Sequence, residues 1–413
     1  MTRPQHLSDG AGSSQARWQS TTVLTILATA AVVPMDVPLV SPGLGEIERA
    51  FGISGTQAGL LVTVYALPAL LVAPLVGMYA DRLGRKRLLT ACLVVFGTAG
   101  AAISVAPSFE VVLALRLVQG CASGPILLSL ATTLAGDTFV DRRHDTVIGA
   151  TMATISLGAA IYPAIGGYLS AIAWNLPFVL YGLAVVVAVF VSVGFDEPVA
   201  TAEEKPRARV YVREAARAVP TVPAVRLYGL VFLTYLLVFG LYTALPFYLE
   251  RAYGLGAAQI GLMTMGMLLV SATVSMGSGL LSAWAPDRSL LVGGVLAYAS
   301  ALALLALTPG VVATFCTLGL FGVGSGVITP RLLSSISTLA PDEFRAGVTS
   351  IQTVTISAGQ AAGPVLFIGL GSWLGYQRLF GATAVVLVAT TVGSLIVYEF
   401  QRVPSRERLS VGK

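Results

Sequence analysis

Twelve apolar stretches, each long enough to cross a lipid bilayer, dominate the sequence. A membrane helix needs about 20 consecutive, mostly apolar residues. Only 11% of the 413 residues are charged, less than half of the roughly 25% that is usual in soluble domains. This pattern excludes a soluble protein and predicts an all-α membrane protein with 12 transmembrane helices. The stretches cover 19–41, 57–79, 88–106, 109–135, 146–171, 174–194, 225–249, 258–283, 288–308, 310–338, 344–371 and 376–400.

The distribution of lysine and arginine predicts the orientation of these spans. Basic residues accumulate in cytoplasmic loops. With twelve spans, twenty of the 25 lie on the side of both termini, three lie on the opposite side, and Arg116 and Arg331 lie within spans. We therefore expect a multi-pass protein of the cell (inner or plasma) membrane with both termini in the cytoplasm.

The two halves of the chain resemble each other. Residues 48–60 (ERAFGISGTQAGL) align without gaps on residues 250–262 (ERAYGLGAAQIGL), with seven of thirteen positions identical. The Gly-x-x-x-Gly pattern at 120–124 recurs at the same offset, 202, at 322–326. Parallel six-helix repeats are typical of secondary transporters, whose halves rock about a site near the membrane midplane. The predicted organisation is a tail (1–18), a six-helix bundle (19–194), a linker (195–224), a second six-helix bundle (225–400) and a tail (401–413).

A basic loop between the second and third spans carries a motif. It reads Gly77-Met-Tyr-Ala-Asp81-Arg82-Leu-Gly84-Arg85-Lys86-Arg87. A residue without Cβ accepts a tight turn cheaply, which explains the glycine after the leucine. The loop resembles the signature Gly-x-x-x-Asp-Arg-x-Gly-Arg-Arg-Lys of the major facilitator superfamily, and a plain basic loop is the alternative. The resemblance implies two pseudo-symmetric six-helix bundles and a conformational latch formed by Gly77, Asp81, Arg82, Gly84, Arg85, Lys86 and Arg87.

Two charged residues lie inside predicted spans. Asp36 is the only acid clearly within a span, and Arg116 belongs to a sequence that resembles the family's Arg-x-x-Gln-Gly motif. A charge in hydrocarbon costs at least about 2.5–3.5 kcal/mol, so it marks a functional site by default. From the helical rise, Asp36 and Arg116 lie about 9 and 12 Å below the outer ends of their spans. An acid that exchanges a proton beside a competing arginine is the usual proton relay of secondary transporters, so both are predicted to couple transport to protons. Snorkelling toward the outer surface is the alternative for Arg116.

The fifth span contains a glycine-rich motif that resembles one associated with the antiporter branches of the same family. The family pattern is Gly-x8-Gly-x3-Gly-Pro-x2-Gly, and here a tyrosine replaces the glycine before the proline. The resemblance implies antiport, whereas eased helix packing is the alternative interpretation of the same small residues. The motif residues are Gly149, Gly158, Tyr162, Pro163, Gly166 and Gly167.

Several aromatic and amide side chains within spans are candidates for a substrate cavity. Tyr235 and Tyr242 are seven residues apart and so lie on nearly the same face of the seventh span. Aromatic faces and neutral hydrogen-bonding groups suit a bulky, amphiphilic or cationic ligand. The candidate cavity residues are Tyr65, Gln119, Tyr235, Tyr242, Gln352 and Gln360.

These features favour a secondary transporter that exports small amphiphilic molecules in exchange for protons. A symporter or facilitator for a sugar, organic acid or other metabolite on the same fold is the alternative. An enzyme is not expected, because the spans hold neither paired acids nor histidine, and no phosphate-binding Gly-x-x-x-x-Gly-Lys-[Ser/Thr] loop occurs. The expected partners are a small-molecule substrate, protons and the lipid bilayer, with no nucleic acid, cofactor or metal, and a monomer is expected.

Overall fold

The structure is a computed structural model that describes residues 8–139, 141–194, 221–307, 310–337 and 345–402. Within these ranges the chain forms helices joined by short turns, and no strand is present. In the described part of the chain, ten helical segments are long and apolar enough to cross a membrane, and two shorter apolar helices cover Ser20–Met35 and Tyr376–Val392. The predicted all-α membrane protein with twelve spans is confirmed.

The spans are numbered in chain order. In the first half they are Ser8–Val32 (first), Gly55–Leu83 (second), Arg85–Ala102 (third), Phe109–Gly120 with Gly124–Thr138 (fourth), Asp141–Ile172 (fifth) and Leu176–Val179 with Gly182–Gly194 (sixth). In the second half they are Thr221–Tyr253 (seventh), Ala257–Met276 with Ser278–Trp284 (eighth), Asp287–Ala306 (ninth), Val311–Ser337 (tenth), Arg345–Leu374 (eleventh) and Tyr376–Arg402 (twelfth). A connecting helix, Leu44–Phe51, follows the first span, and 3-10 turns cover Val33–Met35, Ser41–Gly43 and Ile103–Val105.

Proline interrupts two of the spans. Pro34 and Pro38 have no amide hydrogen to donate, and the first span changes there from α-helix to the 3-10 turn Val33–Met35. The fourth span is interrupted over residues 121–123, and its second helix starts with Pro125 in its first turn, a position that proline favours. Both interruptions expose backbone groups in the interior of the bundle.

Repeat-related glycines allow the same close approach of helices in both halves. A Cβ on Gly120 would clash with the carbonyl oxygen of Tyr65, and a Cβ on Gly322 would clash with that of Met267. The two pairs are related by the offset of 202 that the sequence shows. Small residues of this kind let membrane helices pack backbone to backbone. The fourth span therefore packs on the second as the tenth packs on the eighth.

The chain contains two compact units. One comprises residues 1–265 and 334–368, and the other comprises 266–333 and 369–413. The predicted division into six-helix bundles would fall in the linker 195–224, most of which lies outside the described residues, so that division stays a prediction. All residues of the site described below lie in the first unit.

Within the first unit, spans from both halves of the sequence are in contact. The Ser41 hydroxyl donates to the Tyr242 carbonyl at 2.6 Å. The Thr63 hydroxyl donates to the Ala361 carbonyl at 2.8 Å. The segment after the first span thus contacts the seventh span, and the second span contacts the eleventh.

Candidate functional site

Asp36 lies at the break in the first span. The 3-10 turn Val33–Met35 ends at this residue, and residues 36–40 are not helical. The Val37 amide donates to Asp36 Oδ1 at 2.7 Å. Interrupted helices with free backbone groups form the substrate and ion sites of many transporters. The break therefore presents a partly buried carboxylate inside a membrane span.

Side chains from five other spans surround this carboxylate at electrostatic range. A carboxylate among neutral hydrogen-bonding groups and one cation can bind a proton or pair with a cationic ligand. Three of the predicted cavity residues thus meet the two predicted proton-coupling residues at one place. The surrounding residues are Tyr65, Arg116, Tyr181, Tyr242 and Gln360.

The Arg116 guanidinium is buried, with the residue 2% exposed, and aromatic rings enclose it. Its Cζ lies 5.7 Å from the ring centre of Tyr65, 5.2 Å from that of Phe178 and 5.4 Å from that of Tyr181. Attraction between a cation and ring faces offsets part of the cost of burying the charge. Arg116 makes no direct ion pair with Asp36, and its Nη1 donates instead to Gln119 Oε1 at 2.9 Å and to the Tyr181 hydroxyl at 3.3 Å.

Tyr181 joins Arg116 to the first span, and the sequence reasoning missed it. Its side chain is fully buried, and its hydroxyl donates to the Met35 carbonyl at 2.6 Å. The Asp36 carbonyl lies 3.1 Å from the same hydroxyl. In the sequence, a tyrosine within an apolar run is indistinguishable from a packing residue. Its position at the interruption of the sixth span becomes visible only in the structure.

The remaining cavity candidates lie in different environments. Gln119 is fully buried, and its Nε2 donates to the Phe96 carbonyl at 3.2 Å. This bond fixes the side chain whose Oε1 accepts from Arg116. Tyr235 stacks on Phe239 with ring centres 6.1 Å apart. Tyr235 and Gln352 are both partly exposed. The structure therefore brings Tyr65, Tyr242 and Gln360 to Asp36, whereas Gln119 serves Arg116.

The fifth-span motif packs on the broken part of the first span. A Cβ on Gly166 would clash with the Leu39 carbonyl oxygen. The Tyr162 hydroxyl donates to the Ala31 carbonyl at 2.7 Å. Its repeat counterpart, Gly363, lies against the backbone of the seventh span. Tyr162 thus replaces a close glycine contact by a hydrogen bond across the helix pair.

The other motif positions differ in how closely they are packed. A Cβ on Gly158 would lie 2.7 Å from Pro34 Cγ, whereas a Cβ on Gly149 would have no neighbour within 4 Å. Gly167 lies against the backbone of the eighth span, and the Pro163 carbonyl lies against Gly261 of that span. Close helix packing is therefore needed at all these positions except Gly149.

The basic loop after the second span is described only in part. Gly84 adopts a φ of 88°, a conformation that favours glycine, and it precedes the helix that begins at Arg85. Arg85, Lys86 and Arg87 form the first turn of that helix. Gly77, Asp81 and Arg82 belong to the helix Gly55–Leu83, but the structure describes only the backbone at these three positions, so the predicted latch stays a prediction.

Charged residues join the connecting helix to the end of the seventh span. Arg49 forms an ion pair with Glu250, and Arg251 lies 4.0 Å from Glu48. Because the repeat offset relates Glu48-Arg49 to Glu250-Arg251, the two contacts are reciprocal. Burial raises the pKa of the Glu48 carboxyl, and the Arg251 charge opposes this rise. These four residues line a depression of about 500 Å³ that also includes Phe247.

A family model for the Major Facilitator Superfamily matches residues 26–226 and 227–412. The chain is 25% identical over 352 residues to multidrug resistance protein 1 of Bacillus subtilis, an alignment that covers 83% of this chain and 88% of that protein. It is 28% identical over 159 residues to the quinolone resistance protein NorA of Staphylococcus aureus (strain MRSA252), which covers 38% of this chain and 41% of NorA.

Two solved structures have a similar fold. One is a bacterial homologue of the human lysosomal transporter Spinster in an inward-facing, unoccupied conformation, with 19% identity, a TM-score of 0.73, and 91% of this chain and 96% of that chain covered. The other is the nucleoside transporter NupG, with 12% identity, a TM-score of 0.75, and 90% and 99% covered. At these identities the likeness concerns the fold alone.

Proposed function

This chain belongs to the major facilitator superfamily, and from that premise we propose that it exports small amphiphilic molecules in exchange for protons. Its family and relatives are membrane transporters of small molecules, which confirms the expectation that it is not an enzyme. The proposal further places it as a monomer in the cell membrane with both termini in the cytoplasm. The proton gradient drives it, without a cofactor.

The observation that carries the proposal is the position of Asp36. This carboxylate lies at the break of the first span, within electrostatic range of buried Arg116 and of Gln360. In a low-dielectric site, a carboxylate that has bound a proton or a cationic substrate is more stable than a carboxylate that is charged and unpaired. Competition between proton and substrate for one group gives exchange of the two.

The transport cycle follows from that competition. A substrate from the cytoplasm binds beside Asp36, with Tyr242 and Gln360 as contacts, and is released outside when a proton from that side binds the carboxylate. The protonated site returns and releases its proton to the cytoplasm. Each ligand shifts the equilibrium between the two access states by its difference in affinity for them. The names of the relatives, multidrug and quinolone resistance proteins, support amphiphilic drugs as the substrate class.

Transport into membrane vesicles with an imposed pH gradient tests this function. With one proton per substrate, each pH unit supports about tenfold accumulation, because it is worth about 1.36 kcal/mol per proton. We expect Asp36→Asn to lose the pH-driven accumulation of a fluorescent lipophilic cation while keeping part of its downhill exchange. Val238→Asn, which places the same amide at the repeat-equivalent position, is the matched control and should retain accumulation.

The outcome also separates the alternative function. If Asp36→Asn concentrates substrate as the unaltered protein does, Asp36 has no role in coupling. A growth-inhibition screen of a sensitive host with dyes, antibiotics and biocides defines the substrate range. If no compound in the screen is exported, and a sugar or organic acid moves together with protons, the chain is a symporter.

A further inference from the structure

The break in the first span leaves backbone carbonyl groups without their helical donors. In a continuous α-helix the Val40 amide would donate to the Asp36 carbonyl, four residues earlier. Here the amides of Val40 and Ser41 both donate to the Val37 carbonyl. A buried carbonyl in a membrane protein needs another donor, because no water is available in the bilayer core.

Tyr181 supplies that donor and contacts Arg116 through the same oxygen atom. The hydroxyl lies 2.6 Å from the Met35 carbonyl oxygen and 3.1 Å from that of Asp36. It also accepts a hydrogen bond from Arg116 Nη1 at 3.3 Å. A phenol has one proton to donate and lone pairs that accept, so the Tyr181 hydroxyl can donate to the backbone of the first span and accept from Arg116 at the same time. One atom therefore links the buried cation to the backbone that carries Asp36.

The aromatic ring of Tyr181 is held in place by its neighbours. Phe96 packs against it edge to face with ring centres 5.3 Å apart, and Phe178 stacks with centres 6.2 Å apart. The residue has no exposed surface. Two aromatic contacts and full burial fix the direction in which the hydroxyl points. Its oxygen is thus a rigid point between the sixth span and the first.

We propose that Tyr181 is a positioning residue for proton coupling, whose hydroxyl holds Arg116 against the broken segment of the first span. The inference rests on the proposed proton-coupled transport. The Val37 amide donates to the Asp36 carboxylate, and this bond weakens when the carboxylate is protonated, because bonds to ionised acceptors are the stronger ones. The segment then changes its geometry, and the Tyr181 hydroxyl transmits that change to Arg116.

Other titratable side chains also lie near Asp36 and Tyr181. Tyr65 of the second span and Tyr242 of the seventh span also face Asp36. Tyr65 and Tyr162 of the fifth span lie within electrostatic range of Tyr181. Of these groups, Tyr181 is the one that hydrogen-bonds both to Arg116 and to the first span.

A double-mutant cycle between Tyr181→Phe and Asp36→Asn tests the proposal, with transport into vesicles as the assay. We expect Tyr181→Phe to lower pH-driven accumulation of the lipophilic cation at least about fivefold and to leave downhill exchange within about twofold. The cycle then measures how far the effects of the two substitutions depend on each other. We also expect the pH of half-maximal transport to shift by at least about half a unit. In the Asp36→Asn background the same substitution should change exchange less than about twofold.

The controls separate a positioning role from a structural one. Tyr298→Phe removes the hydroxyl of another buried tyrosine, one that packs on Phe321, and should leave the pH profile unchanged. If Tyr181→Phe acts equally with and without the Asp36 carboxyl, or leaves both accumulation and the pH profile unchanged, the proposal is wrong. If Asp36→Asn itself accumulates substrate, the proposed function fails instead.

A second variant keeps the test open if Tyr181→Phe does not fold. Replacement of Tyr181 by 3-fluorotyrosine keeps the size and the hydroxyl group but makes that hydroxyl a stronger donor and a weaker acceptor. The proposal expects a shifted pH profile at normal expression. An unchanged profile overturns it.

Discussion

The two halves of this transporter share their packing but not their chemistry. Gly120 and Gly322 permit the same approach of repeat-related helices. Asp36 and Arg116, in contrast, have Val238 and Leu318 at the equivalent positions. A rocking motion requires similar halves, whereas proton binding requires only one carboxylate. In the proposed mechanism, the packing that both halves share serves the conformational change, and the N-terminal half alone carries the proton coupling.

The largest effect is expected when Arg116 is replaced by the residue of the other half. Arg116→Leu removes a buried cation and leaves Gln119 Oε1 and the Tyr181 hydroxyl without their donor. Unpaired buried polar groups cost about 1–3 kcal/mol each, so transport should fall to background and the melting temperature of the purified protein should drop. Arg116→Lys, which keeps the charge, should retain part of both. Full activity of Arg116→Leu in vesicles would show that the halves do not differ in the way proposed.

A smaller loss of transport is expected when a fifth-span glycine is replaced. Two glycines of the same motif can be compared, one that is closely packed and one that is not. A Cβ on Gly166 meets the Leu39 carbonyl oxygen, whereas a Cβ on Gly149 meets no atom within 4 Å. Overpacking costs about 1–3 kcal/mol, so Gly166→Ala should lower the melting temperature and the transport rate. Gly149→Ala is the matched control and should change neither. Equal behaviour of the two variants would contradict the packing assigned to the motif.

The smallest effect is expected from the reciprocal ion pairs, the charged feature that both halves share. Exposed pairs contribute about 0.2–1 kcal/mol each, which corresponds to at most about a fivefold change in a conformational equilibrium. Glu250→Arg should weaken the contact between the connecting helix and the end of the seventh span. It should therefore raise thiol labelling of a cysteine placed at Ile53, which lines the depression beside these charges, in a cysteine-free background. The charge swap with Arg49→Glu should restore part of the original labelling rate, because it re-forms the pair with position 250 but removes the pair of Arg49 with Glu46 at 2.6 Å. If the swap restores none of the original rate, the Arg49–Glu250 pair does not hold the connecting helix against the end of the seventh span.

Much of the architecture can be predicted from the sequence, because the bilayer constrains it directly. Hydropathy predicts the spans, basic loops predict their orientation, and glycine spacing predicts where helices pack closely. Asp36 stands out for the same reason, since an acid in an apolar run is costly. The arrangement around it cannot be predicted. The depth estimate agrees for Asp36 and Arg116, but it gives no sign that a tyrosine stands between them. Tyr181 sits in an ordinary apolar stretch, and its role depends on the Met35 and Asp36 carbonyl groups at the break of the distant first span.

Substrate-dependent proton movement tests the central claim, that Asp36 couples substrate export to proton entry, most directly. Purified protein is reconstituted in vesicles that contain a pH-sensitive dye, and a lipophilic cation is added without an imposed pH gradient. The unaltered protein and Val238→Asn should move protons opposite to the substrate, whereas Asp36→Asn should move substrate down its gradient without moving protons. Proton movement by Asp36→Asn equal to that of the unaltered protein would contradict the account.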